Sequence, residues 1–159
     1  MDNSEIRVEH ASHNAIVEAW RERWGGELIV SPRRDYRPED VEGLVATGGN
    51  GEVLGLVTWH LEAEEAEVVS LDALVPGKGY GRALLRSAVN RLREMGAHRV
   101  VLFTTNDNVD AIRMYLLEGW RVVGIHLDAM DAVRARKPGS AQHRACTGCR
   151  LQDMWELER

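Results

Sequence analysis

Cysteine, proline and phenylalanine are scarce in this sequence. Its 159 residues include two cysteines, four prolines and one phenylalanine. Two cysteines cannot supply the disulfide framework of a small secreted domain. No apolar stretch approaches the roughly 20 residues of a membrane-spanning helix, because charged residues and glycines interrupt each candidate. The first ten residues, MDNSEIRVEH, contain neither a basic start nor an apolar segment, so no signal peptide is predicted. These absences predict a cytoplasmic protein that does not act on membranes.

Positive charge is not in excess either. The formal net charge is −5, which argues against nucleic acid as a partner, because phosphate backbones favour basic surfaces. Residues 1–75 contain 6 Lys/Arg and 16 Asp/Glu, a balance of −10, whereas residues 76–159 contain 14 and 9, a balance of +5. A phosphorylated ligand beside the second half and a cationic ligand beside the first would suit these fields. A surface charged only for solubility would give the same counts.

The remaining composition is typical of one globular domain. Apolar residues make up 44% of the chain and charged residues 28%, which are ordinary values for such a protein. A chain of 159 residues is long enough for one well-filled core. There is no internal repeat, low-complexity segment or linker, so we expect a single domain over residues 1–159.

Hydrophobic periodicity predicts a chain in which strands and helices alternate. Ser12 or Asn14 can cap the first helix, and Asn50-Gly51 predicts a hairpin because both residues accept positive φ. The predicted helices are residues 12–26, 80–95, 106–119 and 127–137, with one helical turn after Pro38. The predicted strands are residues 6–12, two runs about Asn50-Gly51 within 44–62, and residues 68–75, 98–105, 120–126 and 151–158.

Some side chains have a predicted location within these elements. The strands on either side of Asn50-Gly51 and the strand after them are expected to form an antiparallel meander. The acidic run from Glu62 to Glu67 is expected at a solvent-exposed turn of this meander. In the third helix, the inward side chains are predicted to be Ile112, Tyr115 and Leu116. The aromatic residues Trp24, Tyr36 and Trp59 can line a ligand pocket or belong to the core.

The stretch LDALVPGKGYGRALL, residues 71–85, predicts a strand, a glycine-rich turn and a helix. The first N–H groups of a helix lack partners and carry partial positive charge, so this arrangement can bind an anion. Glycines at positions 77, 79 and 81 would let successive N–H groups converge without a Cβ in the way. The spacing fits neither a P-loop nor a dinucleotide fingerprint. The turn alone could also be only a tight connection into a helix.

A second motif gives this stretch a context. NVDAIRMYLLEGW, residues 108–120, contains an Asn-x-x-Ala-x-x-x-Tyr pattern followed by Gly and an aromatic residue. The run from Val68 to Gly119 resembles the GNAT superfamily of N-acetyltransferases, which has that pattern after a Gln/Arg-x-x-Gly-x-Gly/Ala signature. Gly79-Tyr80-Gly81 matches the second half of the signature. The resemblance implies an α/β fold of three layers, with a mixed, mostly antiparallel sheet, a splayed parallel pair and helices on both faces.

The sequence departs from the family signature at one position. Pro76 stands where the signature has Gln or Arg, and the loop before Gly77 is shorter than usual in the family. Proline has no N–H to donate, so the backbone N–H groups that bind a phosphate would be those of residues 77–82. Lys78 and Arg82 would add positive charge.

The resemblance implies that acetyl-CoA binds between the strands Leu71–Val75 and Val100–Thr105. Pantetheine would pair with the first strand, and the N–H of Leu74 or Val75 would stabilise the developing oxyanion. The pyrophosphate would lie on the glycine turn. The residues predicted to bind the co-substrate are Leu74, Val75, Gly77, Lys78, Gly79, Tyr80, Gly81, Arg82, Asn108 and Tyr115. Asn108 can also cap its helix, for which Asn106 is the alternative.

Transfer to an amine requires a neutral amine and a proton for the departing thiolate. Tyr115 is the candidate acid, because a tyrosine with a pKa of about 10 stays protonated where a thiol of about 8.5 leaves. A core tyrosine is the structural alternative. The base is less defined: Asp72 within its apolar strand, or Glu67, can take the proton through water. Burial would raise the pKa of Asp72.

Cys146 and Cys149 lie close to His143 at a spacing that some metal sites use. Structural zinc needs four ligands, and His98 or His126 could complete the set only through the fold. We therefore predict no metal, and two reduced thiols or a redox pair remain open. The sequence predicts an N-acetyltransferase that uses acetyl-CoA and a small-molecule or protein amine, as a monomer or homodimer. The alternative is a non-catalytic CoA- or acyl-CoA-binding sensor or interaction module.

Overall fold

A computed structural model of the protein describes residues 6–140 and 148–159. The helices are α1 His13–Arg23, α2 Tyr80–Glu94, α3 Val109–Leu117 and α4 Ala129–Arg136, with a 3₁₀ turn at Pro38–Asp40. The strands are β1 Arg7–His10, β2 Ile29–Val30, β3 Asp35–Tyr36, β4 Glu42–Thr47, β5 Val53–Glu62, β6 Glu65–Ala73, β7 Arg99–Thr105, β8 Arg121–His126 and β9 Met154–Glu158. None of the described helices is both long and apolar enough to cross a lipid bilayer.

The chain divides into two compact units. The first unit comprises Met1–Ile29 and Tyr36–Val100, and the second comprises Val30–Asp35 and Val101–Arg159.

In the first unit, strands β1, β4, β5 and β6 are neighbours in that order, and each pair is antiparallel. The first residues of β7 continue the sheet beside β6, where the carbonyl of Glu64 accepts bonds from the N–H groups of His98 (2.7 Å) and Arg99 (3.2 Å). Helix α2 connects these two strands, and they form the parallel pair. The predicted mixed, mostly antiparallel α/β fold is confirmed.

The helices α1 and α2 of the first unit lie on opposite faces of the sheet. Neighbouring residues of a strand point to opposite faces. On β6, Asp72 contacts α1, whereas a Cβ added to Gly81 of α2 would lie 3.4 Å from the Cβ of Ala73. The core under α1 contains the following buried side chains: Ala11, Ile16, Trp20, Ile29, Tyr36, Val45, Leu56 and Val69. Ser12 caps α1 by accepting the N–H of Ala15 at 3.1 Å, as predicted.

In the second unit, β9 pairs antiparallel with both β7 and β8. Helix α4 packs on its own small core, in which Met130, Leu151 and Met154 are buried. Helix α3 buries Ile112 and Tyr115, but Leu116 is 50% exposed, so the prediction that Leu116 points inward is wrong. Around the helix, Leu116 lies about 40° from Ile112 but about 100° from Tyr115, so it lies at the edge of the face that these two residues bury.

Two turns of the meander differ from the prediction. The hairpin after β4 is present, but only Gly51 has a positive φ (+81°), and Asn50 instead accepts the N–H of Glu52 through its side chain. The acidic turn is also shorter than expected. Ala63 and Glu64 form it, while Glu67 is 4% exposed within β6. Glu67 is therefore not at a solvent-exposed tip, because its alternation along β6 points it into the protein.

Candidate functional site

A β-bulge in β6 determines which polar side chains share a face. The pairing with β5 skips Val69, which is an extra residue on β6. An extra residue shifts the alternation of side chains along a strand by one position. Glu67, Ser70 and Asp72 therefore share the face that contacts α1, and each accepts a hydrogen bond from an aromatic side chain.

Glu67, Ser70 and Asp72 form a row of three polar side chains on this face. Ser70 is the middle member of the row and is buried. The indole N–H of Trp20 donates to its Oγ at 3.1 Å, and Thr58 on β5 shares a hydrogen bond with the same Oγ at 2.6 Å. All three side chains are buried. This network satisfies polar groups that would otherwise be costly in the core, so its role is structural.

Glu67 lies at the deep end of the row. The hydroxyl of Tyr36 donates to its Oε2 at 2.5 Å, and His60 stands directly opposite Glu67 on β5. The rings of Tyr36 and His60 are 5.5 Å apart. His60 Nδ1 lies 2.7 Å from the carbonyl oxygen of Asp40, and since a carbonyl only accepts, Nδ1 carries the proton. Glu67 thus belongs to a buried group of hydrogen-bonding side chains.

Asp72 is half-buried at the other end of the row. Its Oδ2 accepts the indole N–H of Trp24 at 2.9 Å, and its Oδ1 has no donor within the part of the chain that the structure describes. Burial raises the pKa of Asp72, while the bond from Trp24 and the charge of Arg23 oppose this rise. A carboxylate with a raised pKa and an open oxygen is suited to accept a proton near neutral pH.

The raised pKa of Asp72 leads to a prediction about stability. Because the folded pKa lies above the unfolded one, protonated Asp72 favours the fold, and this contribution is lost as pH rises through the folded pKa. Asp72→Asn, which can still accept the bond from Trp24, should therefore raise the melting temperature above that of the wild type at pH 7 to 8. The advantage should shrink as pH falls, and thermal melts from pH 5 to 8 measure it. An advantage that grows towards low pH would contradict the prediction.

The glycine turn follows the end of β6. Gly77 and Gly79 have φ values of +76° and +78°, a conformation that side chains disfavour, and nothing lies within 4 Å of a Cβ at either position. The N–H groups of residues 77–81 have no acceptor within residues 6–140 and 148–159. They precede or open α2, where the helix carries partial positive charge. The turn can therefore receive an anion without losing hydrogen bonds inside the protein.

The end of β6 offers fewer free N–H groups than expected. β6 ends at Ala73, so Leu74 and Val75 lie beyond the strand. The N–H of Leu74 donates to the carbonyl of Leu54 at 2.9 Å. This N–H is engaged within the fold, which leaves Val75 as the remaining oxyanion donor of the two predicted.

The second unit contains the predicted residues Asn108 and Tyr115. Asn108 occupies the N-cap position of α3, but its side chain does not cap the helix, since it donates to Thr104 Oγ1 at 3.0 Å. The alternative cap, Asn106, bonds instead to the backbone of residues 150–153. Both predicted caps are wrong, because tertiary partners satisfy these side chains. Tyr115 is 7% exposed, and its ring lies 6.1 Å from that of Trp120.

The three aromatic residues considered for a ligand pocket do not lie on the same side of the sheet. Trp24 and Tyr36 contact Asp72 and Glu67 on the α1 side of the sheet. Trp59 is 1% exposed and, one residue from Thr58 on β5, points to the α2 side, so it is a core residue. The partnership of Trp20 with Ser70 was missed. The only signal for it in the sequence is a serine within the apolar run VVSLDALV.

The cysteine motif lies only partly in the described structure. Cys149 is an exposed residue, whereas Cys146 and His143 lie outside the described residues. His98 and His126 contact the carboxylates of Glu64 and Glu156. Across residues 6–140 and 148–159, no cluster of three or more His, Cys, Asp or Glu side chains could hold a metal ion.

Comparison with known proteins identifies the class to which this fold and site belong. The model of the acetyltransferase (GNAT) family matches residues 11–119, so the chain belongs to that family. An uncharacterised Bacillus subtilis protein, YxbD, is 31% identical over 124 residues, which are 77% of this chain and 78% of that protein. The family predicted from the two motifs is confirmed.

Solved structures show the same fold. An IAA acetyltransferase from Bacillus cereus superposes with a TM-score of 0.75 at 20% identity, covering 97% of this chain and 98% of that one. A Bacillus subtilis acetyltransferase in complex with CoA gives 0.70 at 18% identity and covers 97% of both chains. The protein is an acetyltransferase of the GNAT family, whose co-substrate is acetyl-CoA, as predicted.

Proposed function

We propose that this protein transfers the acetyl group of acetyl-CoA to a primary amine by direct attack on the thioester. The observation that carries the proposal is the row of unpartnered N–H groups at residues 77–81. A diphosphate needs such donors, and Gly77 and Gly79 leave the space that it would occupy. The residues present therefore fit the co-substrate of the family.

The same part of the chain supplies the other contacts proposed for acetyl-CoA. Lys78 and Arg82 place positive charge at the glycine turn, and Tyr80 and Gly81 open α2. Leu74 and Val75 connect β6 to this turn and would lie along pantetheine. In the second unit, Asn108 and Tyr115 are proposed to contact the co-substrate, by analogy with the family motif that they match.

Bound acetyl-CoA supplies an activated acetyl group and a thiolate leaving group. Asp72 is proposed to accept a proton from the amine, directly or through water, because its open Oδ1 and raised pKa suit a base. Glu67 is the second candidate, although Tyr36 already engages one of its oxygens. The Val75 N–H is proposed to stabilise the developing negative charge, and the Tyr115 hydroxyl to protonate the leaving sulfur.

The charge of the α1 side of the first unit favours a cationic acceptor. Asp72 and Glu67 both face this side, and Asp72 Oδ1 has no donor among the described residues. A carboxylate attracts an ammonium group and can then take its proton. The acceptor is therefore proposed to be a small-molecule or protein amine.

Thiol release from acetyl-CoA tests this proposal. We expect CoA to raise the melting temperature and at least one member of a panel of small amines, amino acids and lysine peptides to give turnover. A non-catalytic module that binds CoA is the second candidate, favoured by Pro76, which removes one N–H donor from the signature. Stabilisation by CoA without turnover for any amine would support the module. No stabilisation by CoA would refute both.

A further inference from the structure

Trp24 ends α1 in a defined position beside Asp72. It is the C-cap residue, its backbone N–H donates to the carbonyl of Trp20 at 2.8 Å, and its half-buried indole reaches Asp72 Oδ2 at 2.9 Å. An indole N–H can only donate a hydrogen bond, so it interacts favourably with the ionised carboxylate. Neither motif of the family includes this residue.

We propose that Trp24 is a positioning residue for Asp72, holding Oδ2 so that Oδ1 faces the acceptor amine and the carboxylate stays ionised at the working pH. This proposal rests on the proposed role of Asp72 as the general base. The bond fixes one oxygen at the end of a rigid helix and leaves the other without a donor among the described residues. A hydrogen bond to the charged form of an acid favours that form.

The groups around Asp72 define what the loss of this bond would do. On the α1 face, the charged or titratable groups described above are Arg23 on α1, Tyr36 on β3, His60 on β5 and Glu67 on β6. The β5 residue paired with Asp72 is the apolar Leu56. Helix α2 packs on the opposite face. Without the indole N–H, burial would act on the carboxylate with only Arg23 opposing it, so the pKa of Asp72 would rise further.

The chain contains a matched control for this substitution. Trp20 lies one turn earlier on α1, and its indole makes the same kind of bond to Ser70, which does not titrate. Trp24→Phe and Trp20→Phe therefore remove the same N–H from the same helix. They differ in whether the partner is an acid. If both indoles had only a structural role, both substitutions would lower stability, and neither would shift the pKa that is read from the pH dependence of activity.

The dependence of kcat/KM on pH tests the proposal in the full-length protein, with one amine accepted by the wild type. The acidic limb reports the base of the free enzyme, and activity falls as pH drops through its pKa. We expect Trp24→Phe to move this limb to higher pH, and Trp20→Phe to leave it in place. The acceptor is the same throughout, so titration of its own amine is common to every variant.

Asp72→Asn separates failure of this inference from failure of the proposed base. If Asp72→Asn abolishes the acidic limb while Trp24→Phe leaves it unmoved, Asp72 is still supported as the base, but Trp24 does not position it. If the acidic limb is unchanged in Asp72→Asn, Asp72 is not the base, and the proposed positioning role of Trp24 is refuted as well.

Indole N–H signals in ¹⁵N-labelled, ligand-free protein give a readout that is independent of activity. The five tryptophan signals can be assigned from Trp→Phe variants. We expect the Trp24 signal to follow a titration that disappears in Asp72→Asn, and the Trp20 signal to show no such step. A Trp24 signal that stays constant with pH, or that titrates unchanged in Asp72→Asn, would overturn the proposal.

Discussion

Replacing Tyr115 with phenylalanine should lower kcat with acetyl-CoA by about 10²-fold or more, which is the contribution typical of a positioned general acid. The hydroxyl is the only group removed. Without it, a thiolate whose conjugate acid has a pKa of about 8.5 must leave unprotonated. The aromatic contact with Trp120, at 6.1 Å between ring centres, does not need the hydroxyl. We therefore expect the fold and the affinity for CoA to be largely retained.

Initial rates at saturating acetyl-CoA and amine measure this effect, and thermal shifts with CoA check binding. Leu117→Ala is the control on the same helix, since Leu117 is 62% exposed and has no proposed role. It should leave kcat unchanged. Turnover of Tyr115→Phe at the wild-type rate would eliminate Tyr115 as the acid and favour a structural role beside Ile112.

The second large effect concerns stability. Trp20→Ala should lower the free energy of unfolding by about 3–5 kcal/mol, the range found when a large buried aromatic side chain is truncated. Trp20 is 0% exposed in the core under α1, and it also donates to Ser70. The substitution would remove the packing that holds α1 on the sheet and leave a cavity next to a polar pair.

Urea denaturation followed by circular dichroism measures this loss. Trp20→Phe keeps an aromatic ring and removes the N–H, so its smaller loss separates packing from hydrogen bonding. Because Ser70 and Thr58 still share their own bond at 2.6 Å, we expect packing to dominate. A loss below about 1 kcal/mol in Trp20→Ala would show that the core closes over the site.

Much of the secondary structure could be predicted from the sequence, because its signals are local. The helical spacing of Leu84, Leu85, Ala88 and Leu92 predicts α2, and all four side chains are buried. Gly96 and Gly119 end their helices with φ values of +96° and +86°. The two asparagines predicted to cap α3 do not cap it, for a physical reason. Asn106 and Asn108 make better hydrogen bonds to residues that the fold brings near, and a single sequence does not show those partners.

The candidate site was predictable in its residue types and only partly in its geometry. A carboxylate in an apolar strand indicates a perturbed pKa, which holds for Asp72. Trp24 is the partner of Asp72 because the tertiary structure places the end of α1 beside this part of β6. The engagement of the Leu74 N–H by Leu54 depends in the same way on the register of β5 and β6.

The amino-acid order by itself determined the family, the alternation of strands and helices, and the glycine turn between β6 and α2. Each follows from spacing along the chain or from the freedom of glycine at positive φ. Only the tertiary structure decided that Glu67, Ser70 and Asp72 share one face and that each faces an aromatic donor. One unpaired residue, Val69, shifts the alternation of β6, and such a shift arises from pairing between strands, which no local pattern encodes.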